Sequence, residues 1–434
     1  MLWRHALEVI YVPDCGRKAL PLKNTLKAEM MRRSRIISVF TVCALLLSGC
    51  GGGGSSSSGG TSSSGGTTTA SVPNVQALVV DSGPSGTGGT INELFVSVTI
   101  CAPANPSNCQ IIDHVLVDTG SYGLRVISSV LSPALALPQQ TNASGNIVEC
   151  TKFADGYSWG PIKTVTMKIA GEVASAFPMQ VIGDPAFNNL VPTDCSSAGP
   201  AENTVAAFGA NGVLGVGPFA QDCGSACVLG NPGFYYTCNS LCAPTTVVLL
   251  NQVQNPITLF AADNNGVIIS LPTIAAGGVA SVSGSMIFGV GTQSNNALGS
   301  AQVYAVDPTY GNFTTNFNGK SYPNSFLDSG SNGLFFTDIA IPQCSNGSGF
   351  YCPAQTLNLS AVNVGLNGTS GTVNFSVGNL PLNSAIAAYS LLAGINSDST
   401  SFDWGLPFFF NRQVYTVIEG GKSTSGGVGP YIAY

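Results

Sequence analysis

Short apolar runs separated by turn-forming residues fill most of this chain. The segments LFVSVTI (94–100), TVTMKIAG (164–171) and TVNFSVGN (372–379) alternate apolar and polar side chains. A period of two is typical of a β-strand with one buried face. Glycine, serine, threonine and asparagine recur between the runs, where they favour turns. The pattern predicts a mostly-β body from about Val72 to Tyr434.

A different pattern opens the chain. Residues 31–50 read MRRSRIISVFTVCALLLSGC, a basic start followed by an apolar run and a small-residue end, which predicts a secretory signal. The final LSGC resembles a bacterial lipobox, so we expect Cys50 to carry a lipid; an ordinary cleaved signal with an incidental cysteine is the alternative. Because a signal begins with its basic region, residues 1–29 are predicted to be a spurious extension, with Met30 or Met31 as the initiator.

The next segment, GGGGSSSSGGTSSSGGTTTAS, has no charge and almost no apolar residue. This composition predicts a flexible tether over residues 51–72 with a reach of roughly 25 Å. Gly51 stands where an aspartate would resemble an inner-membrane retention signal. We therefore expect a bacterial outer-membrane lipoprotein, facing the periplasm or the surface, that contacts the membrane through the lipid on Cys50. No later run is long enough to span a bilayer.

The net charge excludes one class of function, and the length indicates the number of lobes. From residue 51 onward the sequence holds seven Lys or Arg and eighteen Asp or Glu, a net charge of −11. Such a surface repels phosphate backbones, which excludes nucleic-acid binding. The mature body is long for a single core and favours two lobes.

Cysteine usage indicates an oxidising compartment. Of thirteen cysteines, ten follow Cys50, an even number that favours disulfides. A zinc site in the CxxxC…CxxxC cluster is the alternative, but no histidine lies nearby and export favours disulfides. Spacing predicts two disulfides that close local loops, Cys101–Cys109 and Cys344–Cys352. It predicts two more as rungs between antiparallel segments, Cys223–Cys242 and Cys227–Cys238. Cys150 and Cys195 are left to pair by elimination.

Histidine is too scarce for most hydrolytic sites. His114 is the single histidine after residue 50. A Ser-His-Asp or Cys-His site would have to use it, and no convincing GxSxG elbow is present. A histidine-based metal site needs carboxylates to complete it, and the glycine-rich segment 212–218 lacks the Lys-Ser/Thr of a phosphate loop. Carboxylates are left for catalysis, and we expect no metal or organic cofactor.

Two carboxylates stand in a repeated motif. Residues 115–125 read VLVDTGSYGLR, and residues 326–336 read FLDSGSNGLFF. Aligned on Asp118 and Asp328, the copies share Asp, Gly, Ser, Gly and Leu, and both follow apolar residues. One such motif is ordinary turn chemistry. Two copies, 210 residues apart, indicate an internal repeat.

This repeat resembles the pepsin-like aspartic peptidases, in which two related β lobes each contribute one DTG-type turn. The resemblance implies an all-β, bilobal pepsin-like (acid protease) fold with a central cleft between two β-barrel-like lobes, residues 73–275 and 276–434. Because one chain carries both halves, we expect a monomer. Other stretches are similar to the family's landmarks in the right order, namely 153–171 as the flap hairpin, 210–218, 285–291 and 403–420.

The resemblance also implies roles for residues of both turns. Asp118 and Asp328 form a dyad that shares a proton and activates a water against the scissile bond of an extended peptide or protein in the cleft. Gly120 and Gly330 permit the tight turns. The hydroxyls of Thr119 and Ser329 tie the two turns together. The hydroxyls of Ser121 and Ser331 hold the outer carboxylate oxygens.

The flap departs from the family pattern. It is expected to be formed by Phe153, Asp155, Gly156 and Tyr157, and Phe153 stands where the family has a tyrosine. Phenylalanine can cover a site but cannot donate a hydrogen bond. Tyr157 or Trp159 could supply the missing donor, and the alignment favours neither.

Two charged residues depart from the pattern as well. Arg125 stands where many relatives have tryptophan, and it either lowers the pKa values of the dyad or forms a solvated or salt-bridged cation. Asp403 occupies an expected apolar position. Two hypotheses follow: a membrane-tethered aspartic endopeptidase, or a non-catalytic pepsin-fold lipoprotein that acts as a binding or structural module.

Overall fold

The computed structural model describes residues 74–379 and 385–434. The predicted signal, the predicted lipid attachment at Cys50 and the predicted tether lie outside the described residues, so they stay predictions. Within the described part, none of the helices combines the length and the apolar character needed to cross a bilayer.

The described chain is almost entirely β, which confirms the predicted all-β class. The strands are β1 (Val75–Val80), β2 (Leu94–Ala102), β3 (Asn105–Asp118), β4 (Tyr122–Ile127), β5 (Thr141–Asn142), β6 (Gly145–Lys152), β7 (Tyr157–Ile169), β8 (Glu172–Ile182), β9 (Gly212–Val216), β10 (Tyr235–Cys238), β11 (Cys242–Pro244), β12 (Gly266–Leu271), β13 (Val282–Phe288), β14 (Val303–Ala305), β15 (Phe313–Phe317), β16 (Lys320–Leu327), β17 (Leu334–Phe335), β18 (Leu357–Val364), β19 (Ser370–Val377), β20 (Ala393–Gly394), β21 (Asp403–Trp404), β22 (Arg412–Val417), β23 (Lys422–Ser423), β24 (Gly427–Val428) and β25 (Tyr431–Ala433).

Helices are single turns that connect these strands. The α-helices are α1 (Thr193–Ser196), α2 (Val205–Phe208) and α3 (Ser225–Leu229). The 3₁₀ turns are Ser128–Val130, Pro133–Leu135, Asn188–Leu190, Leu249–Asn251, Pro256–Leu259 and Leu406–Phe408.

Two barrel-like sheets carry the fold. The larger sheet has the order β11-β10-β6-β7-β8-β4-β9-β3-β2-β1-β13-β12-β22-β25-β14, with β5 paired to β6. The smaller sheet has the order β19-β18-β15-β16-β21-β17-β20. In the larger sheet, β1 pairs with β2 on one side and with β13 on the other, so the first strand joins the strands of the first half to those that follow residue 266.

The sequence repeat corresponds to a repeated strand arrangement. In the first half, β9 pairs in parallel with β3 and antiparallel with β4, and β8 flanks β4 in parallel. In the second half, β21 pairs in parallel with β16 and antiparallel with β17, and β20 flanks β17 in parallel. Each DTG-type turn therefore links two strands that lie on either side of the same third strand.

Glycines make room for this third strand. A Cβ added at Gly215 of β9 would lie 2.5 Å from the backbone nitrogen of Tyr122. A Cβ added at Gly405, just after β21, would lie 2.0 Å from the carbonyl oxygen of Gly333. Real Cβ atoms do not approach backbone that closely, which explains the glycine in both Gly segments.

Apolar side chains fill both faces of the strand that leads to Asp118. Val115 and Val117 point into the main core, whereas Leu116 packs in a second cluster with Phe95 and Phe208. The core of the second half is rich in aromatic side chains. Stacked rings form its centre, with Phe402 placed 4.5 Å from Phe336 and 4.3 Å from Trp404 between ring centroids.

Five disulfides link the ten cysteines that follow Cys50. Three pairs are those predicted, namely Cys101–Cys109, Cys150–Cys195 and Cys344–Cys352. The predicted rungs Cys223–Cys242 and Cys227–Cys238 are wrong, because the structure pairs Cys223 with Cys227 and Cys238 with Cys242. With all four thiols in disulfides, the zinc alternative for this cluster is also wrong.

Local geometry explains the corrected pairing. The single turn of α3 brings Cys227 back towards Cys223, with 5.6 Å between their Cα atoms. Cys238 and Cys242 face each other across the β10–β11 hairpin, with 4.2 Å between their Cα atoms. Each CxxxC motif therefore closes on itself, and β10 pairs with β6 instead of with the segment that contains Cys223.

The disulfide with the longest loop is expected to stabilise the fold most. Cys150 and Cys195 are fully buried and 45 residues apart, so loss of the bond in a double alanine variant should cost about 4 kcal/mol of unfolding free energy. The matched loss of Cys223–Cys227, a separation of 4 residues, should cost about 2 kcal/mol. Urea denaturation measures both. A larger loss for the short loop would contradict the expectation.

Candidate active site

The structure brings Asp118 and Asp328 together. Asp118 is the last residue of β3, and Asp328 directly follows β16. Both side chains are fully buried, and their carboxyl groups are hydrogen-bonded to each other. A Cβ added at Gly120 would lie 2.9 Å from Cγ of Asp328, so glycine at this position permits the approach.

Each carboxyl is held in the same way by its own turn. In the first turn, Gly120 N–H donates to Oδ1 of Asp118 at 2.7 Å, and the Ser121 hydroxyl donates to Oδ2. In the second turn, Gly330 N–H donates to Oδ1 of Asp328 at 2.8 Å, and the Ser331 hydroxyl donates to Oδ2 at 2.6 Å. The two acids are therefore oriented by equivalent donors and face each other with the same geometry.

Crossed hydrogen bonds tie the two turns to each other. Ser329 N–H donates to Oγ1 of Thr119 at 2.9 Å, and Thr119 N–H donates to Oγ of Ser329 at 3.1 Å. Each hydroxyl in turn donates across to the opposite strand, to the carbonyl of Leu327 at 3.0 Å and of Val117 at 2.7 Å. Buried and fully paired, this network fixes the spacing of the acids.

The electrostatic surroundings of the two acids differ. Burial raises the pKa of Asp118, while hydrogen bonds from Asp328, Ser121 and Gly120 and the positive charge of Arg125 oppose that rise. Burial also raises the pKa of Asp328, and here the charges of Asp118 and Asp403 add to the rise, so its pKa lies well above the usual range. The pair therefore holds one proton, with Asp328 as the favoured carrier.

A family model matches residues 70–434, and its description is "Protein of unknown function (DUF3443)". The chain belongs to this family. Among solved structures, this DUF3443 protein is similar to the crystal structure of aspartic proteinase from Irpex lacteus, at 16% identity and a TM-score of 0.48, with 83% of this chain and 96% of that chain covered. A comparison with curated proteins finds no match.

In this DUF3443 protein, residues 153–171, predicted to form the whole flap hairpin, supply only the tip and the second arm of a hairpin, because its first arm is β6. Within the tip, Phe153 and Gly156 are buried, whereas Ala154 is exposed. β6 and β7 form its arms, and Phe153 N–H donates to the carbonyl of Gly156 to close the turn. Phe153 is fully buried, edge-on to Phe208 at 5.8 Å between ring centroids. The phenylalanine that stands where the pepsin-like pattern has a tyrosine thus packs inside an apolar cluster.

Tyr157 and Trp159, the two other donors considered from the sequence, lie in one apolar cluster. Both pack in the cluster around the Cys150–Cys195 disulfide, and Trp159 donates its ring N–H to the carbonyl of Phe187 at 3.0 Å. The hairpin is also held by its backbone: Tyr157 N–H donates to Pro200 at 3.0 Å, and its carbonyl accepts from Glu202 at 2.8 Å.

Arg125 is buried and ion-paired, not solvated. Its side chain is 1% exposed, and one guanidinium nitrogen lies 2.6 Å from Glu149 and 3.1 Å from Asp222. It also donates to Thr151 at 3.0 Å and to the carbonyl of Tyr122 at 2.6 Å. Arg125 is therefore a salt-bridged cation, and its positive charge also opposes the rise in the pKa of Asp118. The two alternatives drawn from the sequence are both partly correct.

The partners of Arg125 were not predicted from the sequence. Asp222 lies after β9 and Glu149 lies on β6, so the network joins β4 and the segment after β9 to the β6–β7 hairpin. Burial and the nearby Glu149 charge raise the pKa of Asp222 well above its usual range. One sequence signal was available: a charged residue inside an apolar strand of a chain with few charges needs a buried carboxylate partner.

Two further residues singled out in the sequence are Asp403, which lies near the dyad, and His114, which does not contact it. Asp403 is fully buried on β21, where it pairs with Phe326, two residues before Asp328. His114 contacts Asp81 at 3.3 Å and Asp113 at 3.1 Å rather than the dyad. Among residues 74–379 and 385–434, no group of three or more potential metal ligands comes together.

Proposed function

We propose that this DUF3443 protein is a membrane-tethered aspartic endopeptidase, anchored through a lipid on Cys50, that hydrolyses peptide bonds with Asp118 and Asp328. The observation that carries the proposal is the hydrogen-bonded carboxyl pair, oriented by equivalent donors and fixed by crossed hydroxyl bonds. Two acids that share one proton provide a base and an acid at the same point.

The different surroundings of the acids assign their roles. Asp118, whose anion is stabilised by hydrogen bonds from Asp328, Ser121 and Gly120 and by the charge of Arg125, takes a proton from a water, and the hydroxide attacks the scissile carbonyl carbon. Asp328, kept protonated by burial and by Asp403, donates its proton to the carbonyl oxygen. When the C–N bond breaks, the proton held by Asp118 passes to the leaving amine, and Asp328 regains a proton from the tetrahedral intermediate.

Access to the acids requires a movement in this mechanism. Both carboxyl groups are fully buried, so a peptide reaches them only when a covering segment moves. The flap hairpin is a candidate, and its links to Pro200 and Glu202 would have to break or move with it. A lid of this kind also excludes water from the reacting groups.

The same burial favours the second candidate, a non-catalytic binding or structural module. In that case the acid pair and the crossed hydroxyls only hold the two halves together. Phe153, which fills an apolar cluster where a hydrogen-bond donor was expected, is consistent with this function too.

The test is cleavage of a mixed peptide library by the purified protein between about pH 3 and 8, read by mass spectrometry. We expect cleavage, and we expect a statine inhibitor, which mimics the tetrahedral intermediate, to raise the melting temperature. A matched compound without the statine hydroxyl is the control. Absence of cleavage at every pH, together with equal effects of the two compounds, would support the non-catalytic module.

A further inference from the structure

A small cavity lies in the second half, between β19, the Leu406–Phe408 turn and the start of β22. Its volume is about 180 Å³, below the roughly 300 to 1,000 Å³ of sites for drug-sized ligands. Buried apolar side chains form its walls, among them Trp404, Phe408 and Leu334. Asn374 and Asn411 are exposed at its rim, so the cavity is reached from solvent.

Arg412 is the one cation that lines this cavity. It is partly buried, its guanidinium lies 4.5 Å from the centroid of the Phe408 ring, and Nη1 donates to the Phe408 carbonyl at 2.5 Å. No carboxylate lies within ion-pair distance of Arg412 in the described part of the chain. Burial accordingly lowers its pKa, with only Tyr434 acting in the opposite direction.

Arg125 has carboxylate partners, and Arg412 has none among the described residues. Arg125 is buried between two carboxylates, as expected for a cation removed from water. The guanidinium of Arg412 has five N–H donors, yet its one hydrogen bond within the described residues goes to a neutral carbonyl. A guanidinium in this state gains most from an anion that accepts two parallel hydrogen bonds.

We propose that this cavity binds a small organic carboxylate, with the carboxylate on Arg412 and an apolar or aromatic body against Phe408 and Trp404. A single cation balances one negative charge, which favours a monocarboxylate over a phosphate ester with two. The apolar walls favour a carbon skeleton, and the neutral amides of Asn374 and Asn411 add hydrogen-bonding groups at the rim.

This site is distinct from the acid dyad and goes beyond the proposed function. It is connected to the dyad through one residue, because the Trp404 ring forms a wall of the cavity while its carbonyl accepts from the N–H of Asp328 at 3.1 Å. Binding to the cavity requires no catalysis, so an inactive protein would leave the binding result unaffected.

The experiment compares charged and neutral ligands of equal shape on the full-length protein. Benzoate and hexanoate are titrated by calorimetry and ligand-observed NMR, with benzyl alcohol and hexan-1-ol as the neutral matches. We expect the carboxylates to bind at least about tenfold more tightly than the alcohols, since a hydrogen bond to a charged group contributes about 1.5 kcal/mol or more. Equal affinities, or no binding of any of the four, would overturn the proposal.

A variant series locates the binding. Arg412→Gln should lower carboxylate affinity at least about tenfold and leave alcohol affinity unchanged, while Arg412→Lys should retain part of the preference. Lys422→Gln, which removes an exposed cation elsewhere in the same half, is the control and should change nothing. Carboxylate affinity that persists in Arg412→Gln would place the ligand elsewhere and overturn the proposal, whereas the ligand comparison on the unaltered protein needs no variant to fold.

Discussion

Asp328→Asn is expected to remove peptide cleavage, with a fall in kcat/KM of about 10³-fold or more, while the protein stays folded. Asparagine preserves the size of the side chain: its amide oxygen can still accept from Gly330 N–H, and its NH2 group can donate to the Ser331 hydroxyl oxygen. It cannot release a proton to the carbonyl oxygen. Asp118→Asn should have an effect of the same size, because it removes the base. The measurement is the rate on whichever peptide the unaltered protein cleaves.

The same variant should be more stable than the unaltered protein near pH 7. The folded-state pKa of Asp328 is raised above its unfolded value of 3.8, so the folded chain retains a proton that the unfolded chain loses. The contribution of this acid to stability is therefore greatest below about pH 3.8 and falls as pH rises towards the raised pKa. Asparagine removes that dependence. We expect a gain on the order of 1 kcal/mol or more at pH 7 and little change at pH 3.

The control for the loss of cleavage is Asp398→Asn, an exposed aspartate of the same half. It should leave the rate of cleavage unchanged. Full activity in Asp328→Asn would show that this acid is not part of the catalytic machinery. An active-site role without a raised pKa would instead appear as loss of activity with an unchanged pH dependence of stability.

Arg125→Met is the substitution expected to destabilise the fold most. It leaves Glu149 and Asp222 buried without the cation that they share, and breaking a buried ion network in this way costs about 3–5 kcal/mol. The loss should be smaller at pH 4.5 than at pH 7.5. Asp222 already has a raised pKa in the presence of Arg125, so acid supplies the proton that replaces the missing positive charge. Urea denaturation at the two pH values measures this.

Asp222→Asn provides the matched comparison. It keeps the pair of Arg125 and Glu149 and leaves one anion opposite one cation. Because the raised pKa of Asp222 lowers stability as pH rises above 3.8, this variant should be as stable as the unaltered protein, or more so, at pH 7.5. If Arg125→Met and Asp222→Asn were equally damaging, hydrogen bonding rather than charge would hold the network together.

Features that depend on a repeated local pattern could be predicted from the sequence. The repeat around Asp118 and Asp328 indicated two turns of the same kind, and alternating apolar residues indicated the all-β class. The strand arrangement explains why: a glycine-bearing third strand between two others needs specific residues at specific spacings.

Features that depend on long-range packing could not be predicted in this way. The pairing of Cys223 with Cys227 follows from one turn of α3, and nothing in the spacing distinguishes it from a rung to Cys242. Glu149 becomes a partner of Arg125 only because β6, β4 and the segment after β9 meet. Phe153 lies between β6 and β7, and its burial against Phe208 depends on α2, 50 or more residues away.

The position of β1 has a mechanical consequence. The chain enters the described body directly at this strand, which lies between β2 of the first half and β13 in the larger sheet. Any tension on the preceding chain acts first on the hydrogen bonds that β1 makes with β2 and with β13. These hydrogen bonds connect the first half to the second. With the proposed membrane tether, drag on the body would therefore load the pairing of β1 with β2 and β13 before it reaches either core.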